Sequence, residues 1–214
     1  MRHALLGCAM AALSASIAHS LPLTHDEVTK LCMDAEDASH CGRLVEAVQM
    51  KRLPSLAVRD GNTLRVSLFP SGQATFVDVP SLTGGTSFAL WDYISSMNVA
   101  VLWTMHDDSA EFLLLQRATG IKTPLPAEPV YGPDRQRLVT ADFCPLRCEN
   151  KLVVWRVTRE GVHRESEWTP SEPWSDAGVR WKDADTLILE YTAEGSKESK
   201  TVERKLADAS WKQR

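Results

Sequence analysis

The side chains best suited to acid–base or metal chemistry form one local cluster, His106-Asp107-Asp108. Imidazole and carboxylate groups are common general acids, general bases and metal ligands. The cluster falls in a predicted loop between two strands, which favours a solvated turn; a hydrolase with an acidic site is the alternative. The H-E-x-x-H, G-x-S-x-G, P-loop and G-x-G-x-x-G signatures are absent from the 214 residues. We therefore predict no catalytic residue, no metal site and no cofactor.

Three aspartates offer a second arrangement of carboxylates. Asp183 and Asp185 lie two positions apart, and Asp176 precedes them. Glycosidases use pairs of carboxylates at set distances. A turn in which these side chains accept backbone N–H groups explains the same residues more simply, and we expect that turn.

The cysteines indicate two disulfide bonds. Four of the five cysteines lie beyond residue 20: Cys32, Cys41, Cys144 and Cys148. In an oxidising compartment an even number of cysteines indicates disulfides, here with three possible pairings. Proximity favours Cys32–Cys41 and Cys144–Cys148. Neither pair has the C-x-x-C spacing of a zinc knuckle or a thioredoxin-like redox site.

Seven tryptophans are the most unusual feature of the composition. Three lie inside apolar strands and are expected in the core: Trp91, Trp103 and Trp155. Trp168 and Trp174 bracket a Pro-rich segment with few apolar neighbours, and Trp181 follows. These three are the candidate binding residues, because exposed rings can form a protein hot spot or a stacking platform for sugars. The alternative is that the Trp168 and Trp174 rings fold back and cover the edge of a sheet.

The first 20 residues have the pattern of an export signal peptide. Arg2 supplies a positive charge, positions 4–18 are apolar and rich in alanine, and Ala18 and Ser20 suit cleavage after residue 20. This stretch is shorter than the ~20 residues that span a bilayer. Cys8 ends a Leu-Leu-Gly-Cys sequence similar to a lipoprotein cleavage box, so lipidation is the alternative. We expect a periplasmic or secreted protein without a membrane span.

Residues 21–54 are predicted to be helical. Thr24 followed by Glu27 is the signature of a capping box at a helix start. In one continuous helix, Cys32 and Cys41 would lie about 13 Å apart. A disulfide needs Cα atoms within about 7 Å. If these cysteines are bonded, the chain must therefore break within the polar stretch 34–40, which makes a hairpin of two short helices.

Residues 55–214 predict one all-β domain, because short β-rich runs alternate there with turn residues and no Gly/Ser-rich linker divides them. The predicted strands are 63–69, 74–79, 87–93, 98–104, 111–116, 137–142, 151–158, 162–168, 186–192 and 200–206. Turns are predicted at Gly72, Gly120, Gly161 and Gly195.

A weak internal repeat runs through this region. Its three copies are Leu56…Asp60…Leu64, Val130…Asp134…Leu138 and Val179…Asp183…Leu187, with offsets of 74 and 49 residues. Periods of this size with strands throughout indicate propeller blades or a related β-array. Each aspartate is expected in a turn between two strands, where its side chain can accept backbone N–H groups.

The segment 128–142 resembles the repeat of TolB-like β-propellers, P-x-F-S-P-D-G-x-x-L-A. The matching residues are Pro129, Pro133, Asp134 and Leu138, whereas Gly132 stands where serine is usual and Arg135 where glycine is usual. The whole chain also resembles small exported bacterial proteins of unassigned activity. The resemblance implies a propeller-like array of about four antiparallel β-meander units after the helical hairpin, and a protein-binding scaffold without catalysis. A β-sandwich is the alternative fold.

The net charge of −4 argues against a nucleic-acid partner, and 43% hydrophobic residues argue against disorder. Together these observations predict an exported, non-catalytic interaction module of the bacterial periplasm that binds another exported or envelope protein. One version is an inhibitor or immunity-type protein that plugs the active site of a toxin. The alternatives are a carbohydrate- or cell-wall-binding module that uses exposed tryptophans, and an exported hydrolase.

Overall fold

The computed structural model describes residues 23–81, 85–107, 109–146, 148–158 and 160–213. The predicted signal peptide at 1–20, with Cys8, lies outside the described residues. Two helices open the described chain, α1 at His25–Cys32 and α2 at Ala38–Arg52. Within the part of the chain that the structure describes, no helix is long and apolar enough to cross a membrane.

Side-chain caps define where both helices begin. The Thr24 hydroxyl accepts a hydrogen bond from the Glu27 N–H (3.2 Å), and the Glu27 carboxylate accepts one from the Thr24 N–H (2.7 Å). This is the predicted capping box. Asp37 caps α2 by accepting a hydrogen bond from the His40 N–H (2.7 Å). The residues between the helices therefore form a turn and the cap of α2, which interrupts the helical segment.

Both disulfides join cysteines that are near in sequence, as predicted. The break between the helices brings the Cα atoms of Cys32 and Cys41 to 4.8 Å. The Cα atoms of Cys144 and Cys148 lie 5.3 Å apart. The first bond ties α1 to α2, and the second closes a short loop after β9 in which Leu146 is 93% exposed.

Within the described residues, fifteen strands follow and form four antiparallel sheets, numbered here in chain order. Sheet 1 contains β1 (Ala57–Asp60), β2 (Thr63–Ser67) and β3 (Gln73–Val77). Sheet 2 contains β4 (Thr86–Ile94), β5 (Val99–His106), β6 (Ser109–Gln116) and β7 (Lys122–Leu125). Sheet 3 contains β8 (Val130–Tyr131), β9 (Arg137–Asp142), β10 (Lys151–Val157) and β11 (Val162–Trp168), with β15 (Lys212–Gln213) beside β11. Sheet 4 contains β12 (Trp174–Trp181), β13 (Thr186–Ala193) and β14 (Ser199–Lys205).

The four sheets pack on one another in chain order, with three apolar clusters between them. Each cluster combines residues of two neighbouring sheets: Leu64 and Leu102 for sheets 1 and 2, Val101 and Val153 for sheets 2 and 3, and Val154 and Leu187 for sheets 3 and 4. Sheets 2 and 3 bury both faces, so β5 is apolar along most of its length rather than alternating. A β-sandwich has one apolar layer between two sheets, whereas this fold has three such layers between four sheets. None of the four sheets is closed.

All ten predicted strands are present, with ends within two residues of the prediction. The prediction lacks β1, β7, β8, β12 and β15. Of these, β12 matters most, because it begins at Trp174, directly after the Pro-rich segment, and is the first strand of sheet 4. In β12, Ala177, Val179 and Trp181 pack on the apolar cluster and alternate with exposed residues. This period of two is that of a half-buried strand, and β12 pairs along its length with β13.

Helix α2 covers the free edge of β4. As the first strand of sheet 2, β4 pairs along its length with β5 and forms one bridge from Thr86 to Val79, which leaves most of one row of its backbone groups to find other partners. The Leu90 N–H donates to the Glu46 carboxylate (3.0 Å), and the Trp91 C=O accepts from the Gln49 amide (2.8 Å). Glu46 and Gln49 are both almost fully buried.

A buried ion-pair network joins this helix to sheet 1; it consists of Arg43, Glu46, Arg59 and Asp78. Arg59 donates to both Glu46 carboxylate oxygens (2.8 Å each) and to the Phe88 C=O (2.6 Å). Asp78 accepts from both arginines and from the Phe88 N–H. The network therefore satisfies β4 backbone groups that no strand pairs with, and it fixes sheet 1 against sheet 2.

Candidate functional site

Trp168 and Trp174, two of the three predicted binding residues, lie in the core. They are only 5% and 4% exposed, and their ring centroids lie 5.4 Å apart. Trp174 also stacks on Tyr191, with 3.8 Å between centroids. Neither ring is exposed, so of the two possibilities that the sequence left open, the one in which both rings fold back against a sheet describes the structure. The reason is that Trp174 begins a strand, one face of which packs on sheet 3.

Trp181, the third predicted residue, is partly buried at the junction of sheets 3 and 4. Its indole N–H donates a hydrogen bond to the Val130 C=O (3.0 Å). Its ring also packs near Gly132, where an added Cβ would come within 3.5 Å of it. Trp181 of β12 therefore contacts β8 through this hydrogen bond. The structure does not unite the three tryptophans on one exposed surface.

The predicted turn around Asp183 is confirmed. The Asp183 carboxylate accepts a hydrogen bond from the Asp185 N–H (2.9 Å), and this contact lowers the pKa of Asp183. Asp134 accepts in the same way from the N–H groups of Gln136 (2.9 Å) and Arg137 (3.1 Å). The carboxylates of Asp134 and Asp183 therefore stabilise turns by accepting backbone hydrogen bonds.

The acidic cluster after β5 is only partly described. His106 is exposed and hydrogen-bonds with the Thr86 hydroxyl (3.0 Å). Asp107 has φ of 52° in the turn that follows, and Asp108 lies outside the described residues. Among the residues that the structure describes, no three or more His, Cys, Asp or Glu side chains are grouped as a metal site would need.

Two adjoining cavities lie where the first strands of sheets 2 and 3 meet. The first, of about 390 Å³, is bounded by α1, β4, β8 and Val179 of β12. The second, of about 360 Å³, is bounded by β4 and the turn after β8. Asp92 and Tyr131 line both cavities, which together are called the β4–β8 cleft here. Each volume is in the range of pockets that bind small ligands.

A β-bulge in β4 shapes the wall of the cleft. Leu90 pairs with Leu102 and Asp92 pairs with Val101, which leaves Trp91 without a residue opposite it on β5. Leu90 consequently packs between sheets 1 and 2, whereas Ile94 packs between sheets 2 and 3. An unbroken strand would place both on one face. The bulge thus redirects the strand at the point where Trp91 and Asp92 line the cleft.

Trp91 and Glu128 form the mouth of the first cavity. The indole N–H donates to the Glu128 carboxylate (3.0 Å), and Glu128 itself is exposed. The Trp91 ring packs edge-to-face on Phe112, with 5.5 Å between centroids. His25 of α1 also lines this cavity. The mouth therefore combines an aromatic ring, an exposed carboxylate and an imidazole.

Asp92 is the buried charge of the cleft, with 8% of its surface exposed. Burial raises the pKa of its carboxyl above the ordinary value of 3.8. Hydrogen bonds from the Tyr93 N–H and the Tyr131 hydroxyl lower this pKa without cancelling the effect of burial, and so do the charges of Arg52 and Arg135. Burial, together with the charges of Asp92 and Glu128, raises the pKa of the Tyr131 phenol well above 10. Perturbed titratable groups in a cleft are typical of functional sites.

The sequence analysis did not select Asp92 or Tyr131. One signal was present: Asp92 interrupts an otherwise apolar strand, and a charge in such a run has to be buried or to face a cavity. Tyr131 stands at the phenylalanine position of the repeat pattern in segment 128–142, which marks an aromatic residue but not its place in a cleft. Nothing in the sequence indicates that the two residues are neighbours, because only the packing of sheet 2 on sheet 3 brings them together.

Comparisons with family models, with curated proteins and with solved structures found no match to this chain.

Proposed function

We propose that this protein is an exported, non-catalytic interaction module that binds a partner protein at the β4–β8 cleft. The observation that carries the proposal is the convergence of α1, β4, β8 and β12 on one concave site with a buried carboxylate. Concave sites with apolar walls and a few polar groups are where proteins most often bind ligands and partner side chains. The two disulfides support an oxidising, extracytoplasmic location.

The proposal includes a propeller-like arrangement of the four sheets. Four meanders in chain order, each packed on the next, are what consecutive blades of an open propeller would form. The turn at Arg135 supports the TolB-like resemblance, because Arg135 has φ of 52° at the position where that repeat has glycine. In such an array the first strand of each blade lies nearest the axis. The cleft, lined by β4, β8 and β12, would then lie at the axial end.

An inhibitor or immunity-type protein is one version of this module. Its acidic net charge suits a basic partner, and a rigid disulfide-stapled scaffold limits the entropy lost on binding. The partner's own activity would then decide the biological role, because the module would act by covering the partner's site.

Site-specific photo-cross-linking tests the proposal. His25 lines the cleft and is exposed, so His25→p-benzoylphenylalanine places a cross-linker at its mouth. The matched control is Thr201→p-benzoylphenylalanine on exposed β14. After irradiation in periplasm, we expect one discrete adduct from position 25 and none from position 201, with the partner identified by mass spectrometry. Equal adducts from both positions, or none from either, would contradict the proposal.

A further inference from the structure

We infer that the first cavity of the β4–β8 cleft binds an organic cation on an alkyl stem, as in the side chain of lysine or arginine. This inference rests on the proposed function insofar as the partner protein supplies that side chain. The site is defined by Asp92 at its base, Glu128 at its mouth, and the rings of Trp91 and Tyr131.

The charged groups of the cavity favour a positive ligand. Asp92 and Glu128 are both acidic, and the described residues that line this cavity include no lysine or arginine. Arg135 lines only the second cavity, on the far side of Asp92 and Tyr131. His25 is the one described lining residue that can become cationic, and it is exposed at the rim.

Asp92 is acted on by the charges of Arg52 and Arg135, but burial outweighs them. It is 8% exposed, and the ion pairs formed among described residues do not include it. Glu46 shows the contrast, because that equally buried carboxylate is neutralised by two arginines. A buried carboxylate without an ion pair is destabilising, and a cationic ligand would relieve that cost on binding.

The walls of the cavity favour an organic cation over a metal ion. Val28, Val130 and Val179 supply apolar surface for a methylene chain, and the indole of Trp91 is the best aromatic partner for a cation. A metal ion needs several oxygen or nitrogen ligands around one point. A volume of about 390 Å³ accommodates a whole lysine or arginine side chain.

The test is a titration of the oxidised protein with three capped amino acids, followed by NMR of the tryptophan indole N–H signals. The probes are the N-acetyl N-methylamides of lysine, arginine and norleucine, of which norleucine has the alkyl stem without the charge. We expect the cationic probes to bind with a dissociation constant of about 1 mM, as befits a small ligand with few contacts. The Trp91 signal, assigned from Trp91→Phe, should move most, because its N–H bonds Glu128.

Two variants and a matched control make the result specific. Asp92→Asn and Glu128→Gln should each weaken binding of the lysine probe about tenfold or more, since a charge-assisted contact is lost. Asp176→Asn changes the net charge equally on exposed β12 and should leave binding unchanged. Glu128 is exposed, so Glu128→Gln tests the charge at the mouth of the cavity without altering a buried position. Equal binding of norleucine and lysine, or no binding of any probe, would overturn the inference.

The photo-cross-linked partner separates failure of this inference from failure of the proposed function. If Asp92→Asn forms the His25-position adduct as well as the wild type does, a protein partner exists but its cation does not enter the cavity, and the inference fails alone. If the lysine probe binds and no adduct forms, the cation site stands with a free amine as its ligand. The proposed protein-binding function then fails alone.

Discussion

Replacing Glu46 by alanine is expected to lower the free energy of unfolding by about 3–5 kcal/mol. The Glu46 side chain is 2% exposed and lies at the centre of the buried ion-pair network. Its carboxylate accepts hydrogen bonds from Arg43 (3.1 Å), from two nitrogens of Arg59 (2.8 Å each) and from the Leu90 N–H (3.0 Å). Truncation removes the acceptor from all of these donors at once.

The size of the effect follows from what the truncation leaves behind. Arg59 is 13% exposed and would keep only Asp78 and the Phe88 C=O as partners. The Leu90 N–H would lose its acceptor, and a buried donor without an acceptor costs about 1–3 kcal/mol. Removing one member of a buried pair leaves a charge without compensation, which dominates the total. Glu46→Gln keeps an oxygen acceptor and should lose less, about 1–3 kcal/mol.

The matched control is an ion pair with similar distances whose two side chains are about half exposed to solvent. Lys182 lies 2.8 Å from both carboxylate oxygens of Glu203, and the two side chains are 49% and 53% exposed. Glu203→Ala should therefore cost about 0–1 kcal/mol. Because the distances in the two ion pairs are similar, the difference between the two losses of stability measures the effect of burial.

Urea unfolding with both disulfides intact measures these differences as shifts of the midpoint at constant m value. A double-mutant cycle with Arg59→Ala should show that the double variant is less destabilised than the sum of the single variants, by about 1 kcal/mol or more. Two results would refute the reasoning: a loss for Glu46→Ala no larger than for Glu203→Ala, or strict additivity in the cycle.

Three further predictions concern stability. Burial raises the pKa of Asp92, so the stability contributed by its protonated form is complete below the ordinary value of 3.8 and is lost as the pH rises through the raised value. Asp92→Asn should therefore unfold at higher urea than the wild type at pH 7, and this difference should shrink toward pH 3. Gly42→Ala should destabilise by about 1 kcal/mol despite its better helix propensity, because the new Cβ would lie 2.8 Å from Trp103 in the core, as thermal unfolding would show. Replacing Cys32 and Cys41 by serine should cost about 2.5 kcal/mol, and the same change at Cys144 and Cys148 about 2 kcal/mol, because the loops span 9 and 4 residues.

Controls accompany each of these measurements. Asp176→Asn should show no comparable dependence on pH, and an equal response would assign the Asp92 effect to net charge. Gly178→Ala should change stability by less than about 0.5 kcal/mol, because its Cβ would meet only the Glu190 C=O at 4.0 Å. A Gly42→Ala variant as stable as wild type would mean that Trp103 moves aside. The disulfide estimates fail if reduction of the wild type leaves its urea midpoint unchanged.

Local patterns were sufficient to predict the helices, the disulfides and most strands. The capping box at Thr24 and the geometric limit on Cys32 and Cys41 require only residues that are close in the chain. Strands of sheets 2 and 3, such as β5 and β10, contain long apolar runs. Such a run indicates a buried strand even when the strands that pair with it are not known. Turn aspartates such as Asp134 act on backbone groups two and three residues away.

Strand β12 and the burial of Trp168 and Trp174 were not predicted from local patterns. Ala177, Val179 and Trp181 alternate there with exposed residues, which is the pattern of a half-buried strand, but the run is short and the prediction missed it. The sequence left open whether the rings of Trp168 and Trp174 are exposed or fold back on a sheet. Burial of those rings depends on the face that sheet 3 presents to them.

The sequence alone thus determined the order of the elements, the cysteine pairs and the all-β character, because caps, turns and apolar runs act over a few residues. Tertiary structure decided which groups meet in the β4–β8 cleft. Asp92 and Tyr131 lie 39 positions apart, and they become neighbours only because a bulge redirects β4 and sheet 3 packs on sheet 2. The charge, burial and chemistry of the cleft are therefore products of packing between distant segments, which no local pattern encodes.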